Sequence, residues 1–185
     1  MQVNGTAVAS LPLFIRSKFG EAGFNRWIQS LPAEAAKIYS TNIFPSSWYP
    51  LDKVVIEPTR KFCELFYGGN LKGAWEGGRF SADYGLKGVL KIFVKVASVN
   101  LLIKKAGLIL PTYYKPSEIT VIENEKGKAC IQITSFPEMD QIIEFRIAGW
   151  IERAIEIGGG KNVKVIISSS LVKGDPYSEI KITWL

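Results

Sequence analysis

This chain predicts an α+β fold: an N-terminal helical layer packed on an antiparallel β-sheet with one long inserted helix. Three observations carry that expectation. Through the first half, apolar residues recur mostly at spacings of three and four, the period of a helix face. After Gly107 the pattern changes to short runs rich in β-branched residues, separated by tight turns. Between two pairs of such runs lies one long periodic stretch, residues 138–157. Strands joined by short turns argue for antiparallel pairing, and helices followed by strand pairs argue for α+β. The 185 residues suit a single domain, 1–185.

The opening stretch, MQVNGTAVASLPLFIRSKFG, predicts a helix with Pro12 in its first turn and Gly20 at its end. EAGFNRWIQSL follows with Phe24, Trp27, Ile28 and Leu31 on one face. Pro32 opens a short helix through AEAAKIYS. NIFPSSWYPL, punctuated by Pro45 and Pro50, reads as a loop. Residues 51–67 are helical with a break or kink at Pro58. Val54, Val55, Phe62, Leu65 and Phe66 face inward there, and Gly68-Gly69-Asn70 stops the run.

The glycine-rich EGGRFSADYGLKG, residues 76–88, invites comparison with a phosphate loop. A Walker-type loop needs two glycines at fixed spacing, then Lys and Ser/Thr, after a strand. No Lys-Ser or Lys-Thr follows a glycine here, and the preceding segment is helical. Ser81 or Asp83 instead caps a helix running to about Ala97, with Leu86, Leu90, Phe93, Val94 and Ala97 along it. Glycines at 85 and 88 cost such a helix ~1 kcal/mol each against alanine. Close approach by another element would offset that cost. Ser98 then caps a short helix, VNLLIKKA, which Gly107 ends.

LILPTYYK, SEITVIENE and KACIQITSF read as strands, the last two joined by a hairpin turn at Asn124-Glu125-Lys126-Gly127. Pro137 opens the long helix. Ile143, Ile147, Trp150, Ile151 and Ala154 form its apolar face, with Glu144, Arg146, Glu152 and Arg153 mainly opposite. Gly158-Gly159-Gly160 ends it. NVKVIISSSL and YSEIKITWL are the final strands, joined through Lys173-Gly174-Asp175-Pro176, which serves as a turn or a contact loop.

Composition narrows the function. The net charge is +6 and the pI about 9.3, but lysines and arginines occur singly or in pairs among acidic residues. A nucleic-acid binder concentrates its charge on one face, so no nucleic-acid partner is expected. No stretch is long and apolar enough to predict a membrane span, and the first residues lack a basic region before an apolar one. Two cysteines, Cys63 and Cys130, lie in apolar segments and read as reduced thiols of a cytoplasmic protein. The chain has no histidine. That removes Ser-His-Asp and Cys-His nucleophile arrangements, His-bound zinc and His-ligated haem. No catalytic residue and no metal site are expected.

The C-terminal order resembles a known superfamily. A hairpin, a helix containing AGW, a Gly-rich turn, a strand, then KGDPYSEIKITW is similar to the 4-vinyl reductase domain and to the haem-NO-binding and TRAPP-subunit domains of the same architecture. With WYPL, GRFSADYGLKG and IERAIE, the whole chain most resembles a group of ~200-residue proteins abundant in myxobacteria. The resemblance implies a helical layer over an antiparallel sheet, with an apolar pocket between them that takes haem, hydrophobic small molecules or acyl chains. The functional motifs depart from the pattern. The haem-binding branch uses a proximal histidine, absent here, and its Tyr-x-Ser-x-Arg propionate motif is missing, since residues 113–117 read YYKPS. The cysteines that 4-vinyl reductase domains carry near the final turn are replaced by Ser168, Ser169, Ser170 and Asp175. One TRAPP subunit type holds an acyl chain on a helix cysteine, which makes Cys63 the residue to consider for acylation; a buried structural thiol is the other reading.

Aromatic residues are dense between 44 and 84. Trp48, Tyr49, Phe62, Phe66, Tyr67, Trp75, Phe80 and Tyr84 are candidates for lining a hydrophobic pocket, or else ordinary core. Asp140, Glu144 and Glu152 invite an acid–base role, but helical spacing lets Glu144 and Glu152 meet Lys or Arg on a solvated face. The expectation is a non-enzymatic module that binds an unknown hydrophobic small molecule for sensing or signalling. The alternative is a homo-oligomeric interaction or assembly subunit, a homodimer, with a filled core and no ligand.

Overall fold

Asn4, rather than Pro12, begins the first helix. The Asn4 side chain accepts a hydrogen bond from the Thr6 amide at 2.9 Å, the geometry that makes Asn a preferred N-cap. The computed structural model describes residues 1–86 and 99–185. In it α1 spans Gly5–Ser30, with Pro12 well inside and a kink at Gly20, where φ is +67°. Gly20 thus divides the helix where an end was expected, in a conformation that favours glycine. The second half of α1 buries Phe24, Trp27 and Leu31 as the spacing predicts. α2, Ala33–Tyr39, begins after Pro32.

The segment expected to kink at Pro58 is a π-helical turn, Asp52–Ile56, leading into α3, Glu57–Tyr67. Proline is tolerated in a first helical turn because its missing N–H would have no partner there. Gly68 then stops α3 in the left-handed region, φ +59°. α4, Lys72–Gly85, takes in the glycine-rich stretch from 76 to 85 instead of following it. The expected helix from Ser81 or Asp83 is therefore corrected at its start, while its course to Ala97 and the Ser98 cap lie outside the described residues. α5 is Val99–Lys104 and α6 is Ala106–Tyr113. The strand expected over LILPTYYK is thus mostly helix; a continuous apolar run has no period by which to tell the two apart.

Among the described residues seven strands build two antiparallel sheets. β1 (Gln2–Asn4), β2 (Trp48–Pro50) and β3 (Tyr114–Lys115) form a small one in the order β2-β1-β3. β4 (Glu118–Glu125), β5 (Lys128–Ser135), β6 (Lys164–Ser169) and β7 (Ser178–Thr183) form the main one in the order β4-β5-β7-β6. Glu125 pairs with Lys128 across the predicted hairpin, with Gly127 at φ +81°. Alternate side chains of β5 and β7, including Ile131, Ile133, Ile180 and Ile182, turn into the core.

The inserted helix, α7, spans Gln141–Ile157, capped by the Asp140 carboxylate, which accepts from the Ile142 amide at 2.8 Å. It packs against α4 on one side and against β6 and β7 on the other. This placement corrects the division of its faces. Glu144 and Arg146, expected on a solvated face, are 3% and 2% exposed. A helix between two layers is buried on both sides, so its polar residues are not diverted to water.

Candidate functional site

α4 and α7 cross with their backbones in contact. A methyl placed on Gly78 would collide with the Arg146 carbonyl, and one on Gly149 with the Trp75 carbonyl. Each helix therefore supplies the glycine that admits the other's backbone. Around the crossing, charged side chains join the helices at the surface. Arg79 pairs with Glu152 and, at 2.8 Å, with Glu156, while Arg153 reaches Asp83 at 3.0 Å and Glu156 at 2.8 Å. Glu152 thus meets an arginine, but one supplied by α4 and not by its own helical spacing. Glu144 does not: its carboxylate accepts from the hydroxyls of Ser170 (2.8 and 2.9 Å) and Ser178.

Beside the crossing lies a cavity of about 80 Å³. Gly78 and Ser81 of α4 form one wall, and Arg146, Ile147, Trp150, Ile151, Ala154 and Ile155 of α7 form another. Leu102 and Ile103 of α5, with Ala106, Ile109, Leu110 and Tyr113 of α6, close a third side, and Tyr114, Ile119 and Ile131 from the strands with Ala7 of α1 complete it. The lining is mostly aliphatic, but two of its residues carry unmatched polar atoms. Arg146 Nε and Nη1 and Trp150 Nε1 are buried without a hydrogen-bond acceptor among the described residues. Positions 146 and 150 lie one turn apart on the same helix face. Burial pushes the Tyr113 hydroxyl up to about 12, which keeps it a hydrogen-bond donor.

The aromatic candidates fall in other places. Phe62, Phe66 and Tyr67 of α3 join Phe14 and Phe19 of α1 in one cluster, with Phe19 stacked on Phe66 at 4.2 Å and Phe80 meeting Phe14 at 5.4 Å. Tyr67 donates to Glu76 at 2.6 Å and accepts from the Lys18 ammonium at 2.8 Å. Trp75 donates to Glu152 at 2.8 Å and meets Phe145 edge-on. Trp48 lies under the Lys115 ammonium, 4.1 Å from its ring centre, and the Tyr49 hydroxyl accepts from the Phe44 amide. Tyr84 is half-buried on α4. Phe62, Phe66, Tyr67 and Phe80 are thus brought together, Trp48 and Tyr49 share the small sheet, and none of the eight is among the cavity's lining residues. Cys63 is buried, and desolvation raises its thiol pKa against the opposing pull of the Ala74 backbone and the Arg146 and Arg60 charges.

The cavity's aromatic members, Tyr113, Tyr114 and Trp150, were not among the pocket candidates. One signal for them was present. α7 carries apolar residues right round its circumference, Ile142, Ile143, Phe145, Ile147, Ala148, Trp150 and Ile151, and such a helix is buried on all sides. Arg146 within that run is then a buried charge.

A second, more polar hollow of about 330 Å³ opens between α7 and the β6–β7 turn, where Glu144, Ser168, Ser169, Ser170, Lys173 and Asp175 meet. Its acidic groups are largely engaged by the protein itself, since Asp175 accepts from the Ser170 amide at 2.7 Å and holds the turn. Among the described residues no group of three or more Cys, Asp and Glu is placed to hold a metal ion.

The residues of the apolar cavity do not fit a haem. The axial ligands proteins use are His, Cys, Met and Tyr. The chain lacks His, and neither Cys nor Met lines the cavity. Tyr114 packs its ring on Phe136 at 5.5 Å, and Tyr113 turns its hydroxyl toward Gly85, where an added methyl would be 2.6 Å away. Drug-sized ligands occupy roughly 300–1,000 Å³, far above the volume present.

Known structures share this architecture along nearly the whole chain. An H-NOX protein from S. oneidensis in the Fe(II)NO ligation state matches with a TM-score of 0.75 and 11% identity, covering 98% of this chain and 99% of that one. The Fe(II) unliganded H-NOX protein from K. algicida gives 0.73 at 8% identity, covering 98% and 96%. A point mutant of T. tengcongensis H-NOX gives 0.69 at 15% identity, covering 98% and 97%. No family model and no curated protein matches the sequence. The helical layer, the four-stranded sheet and the long helix between them give this chain the fold of the H-NOX haem-NO-binding domains.

Proposed function

We propose that this chain is a non-enzymatic sensory domain that binds a small molecule in the cavity between α4, α7, α6 and the sheet. One observation carries the reading: an apolar cavity at the centre of an H-NOX-like fold, lined by residues of α4, α5, α6, α7 and the sheets. The structural neighbours are described with Fe(II) and its NO and CO complexes. This chain keeps their architecture but has no histidine and offers no fitting iron ligand in the cavity, which supports a ligand other than haem. Among the described residues no helix is long and apolar enough to cross a membrane.

Native mass spectrometry of the purified protein, followed by extraction after denaturation, tests the reading. A discrete added mass that leaves on denaturation is the expected result. A ligand-free dimer whose stability responds to no small molecule would favour the assembly-subunit alternative. A mass retained after denaturation would mark covalent attachment, with Cys63 the first residue to map.

A further inference from the structure

We propose that the outer side of α5 and α6 docks this chain on an anionic phospholipid surface, through Leu101 and Leu108 with Lys104 and Lys105 between them. The proposal is independent of what the cavity holds.

The net charge of the chain has one source. Six of the 23 Lys and Arg residues fall in residues 84–117, as Lys87, Lys91, Lys95, Lys104, Lys105 and Lys115, and that stretch holds no Asp or Glu. The rest of the chain carries 17 basic and 17 acidic residues and is neutral. The whole excess of +6 therefore belongs to one apolar-rich stretch. Several lysines gathered on an amphipathic surface attract acidic lipid headgroups.

α5 and α6 present part of that charge to solvent. They follow one another through Lys105 alone, whose backbone is right-handed helical, with φ −91° and ψ −1°. Its amide donates to the Leu101 and Leu102 carbonyls, and its carbonyl accepts from the Leu108 amide at 2.9 Å. Ile103 and Leu110 are buried, and they line the cavity with Leu102, Ala106 and Ile109. Leu101, Lys104, Lys105 and Leu108 lie three or four positions apart and are exposed, the two leucines by 44% and 67%. Leucines and lysines thus stand side by side on the solvent face of an amphipathic element. Asn100 fixes that element to the sheet, since its side-chain amide donates to Asn124 Oδ1 at 2.8 Å and to the Glu125 carbonyl at 2.9 Å. Glu123 and Glu125 of the adjoining strand are taken by Lys128. Lys104 and Lys105 have no ion-pair partner among the described residues.

Single exposed leucines are ordinary on a protein surface. Here the charge around them selects the partner, and its chemistry favours lipid over other anions. Nucleic acid is met with arginine forks and stacking aromatics, and these four residues supply neither. A stable protein partner covers roughly 800 Å² on each side, more than one face of helices of six and eight residues offers. A headgroup layer asks for no such area. The leucines enter the acyl boundary, while the lysines lay their methylene stems beside them and keep their ammonium groups among the phosphates.

Sedimentation of the full chain with vesicles tests the assignment, using phosphatidylcholine alone and phosphatidylcholine with phosphatidylserine at roughly two to one. The mixed vesicles should carry the protein down, the neutral ones much less, and raised salt should release it. A lysine near such a surface is worth about fivefold in affinity, so Lys104→Gln with Lys105→Gln should lose on the order of 25-fold. Lys104→Arg with Lys105→Arg should keep binding, and Leu108→Ser should weaken it. Urea midpoints of all three variants should match wild type, because the positions are exposed. Equal binding to both kinds of vesicle, or to neither, would overturn the proposal. So would mixed-vesicle binding that survives the double glutamine variant, which would place the contact elsewhere on the molecule. Capture by heparin without vesicle binding, lost in the same variant, would assign the patch to a dissolved polyanion and remove lipid from it. These outcomes leave the cavity reading untouched, since native mass spectrometry tests it separately.

Discussion

Ser178 is wholly buried, and its hydroxyl works in both directions: it donates to Glu144 and accepts from the Leu171 amide at 3.0 Å. With Ser170 it satisfies the one buried carboxylate of α7 and ties that helix to the turn entering β7. Ser178→Ala strands both partners in the interior, where an unsatisfied polar group costs about 1–3 kcal/mol. A drop of about 2 kcal/mol or more in urea unfolding is expected, and no change would refute the role given to this hydroxyl. Glu179, next in sequence, behaves oppositely. Hydrogen bonds from Gln132 and Ser168 hold its carboxyl down to about 2, against about 4.3 for a free glutamate. The unfolded chain therefore takes up this proton first as pH falls. The stabilisation is complete above the free value and is lost as pH drops toward 2. Glu179→Gln should lie below wild type in stability at pH 6, and the gap should narrow as pH falls from about 4 toward 2, which urea midpoints across that range would show.

At the scale of elements, the joint between α4 and α7 is the most constrained feature of the fold. Gly78→Ala and Gly149→Ala each force a methyl into a backbone carbonyl of the partner helix. Backbone cannot rotate away as a side chain can, so each substitution should cost at least the ~1–3 kcal/mol typical of overpacking, read as a lowered unfolding midpoint. The glycine-rich stretch was legible as a place of close approach, because glycines inside a helix need such a reason. Its extent was not, because Asn70, whose side chain accepts from the Lys72 amide at 2.8 Å, reads in sequence as the stop of α3 and not as the start of α4. The β4–β5 hairpin was readable from Gly127 and alternation, whereas β1 and β2, three residues each, are too short to show a period. α6 escaped because an apolar run with Pro111 inside it looks like a strand bounded by a turn.

Over the whole molecule, the α+β architecture was legible because it follows from local periods and turn chemistry. The cavity was not. Its walls come from α4, α5, α6, α7 and the sheet, and only their assembly decides that Arg146 faces no carboxylate. The aromatic density between 44 and 84 pointed to a real cluster, built by Phe14, Phe19, Phe62, Phe66 and Tyr67, beside which the cavity is chiefly aliphatic. A global prediction follows from the lone charge. Without ligand, Arg146→Met replaces an uncompensated buried cation with an apolar chain of similar length, and relief of one or more kcal/mol is in the range seen for such exchanges. Ligand-free Arg146→Met should melt at least ~2–4 °C above ligand-free wild type. A lower melting temperature would mean that the guanidinium is already compensated in the folded chain.

The paired glycines also set where the molecule is stiff. Two helices in backbone contact form a strut with no deformable side-chain layer between them, so pressure from within the cavity is not relieved by spreading α4 from α7. The other wall lies where α6 rests on β4, with Gly107 facing the Ile119 carbonyl. β4 is the edge of the main sheet, paired on one side only, and it carries Ile122 outward at 54% exposure. An outward push on the cavity would therefore meet the least resistance on the side of β4, where, among the described residues, no pair of glycines locks one backbone to another.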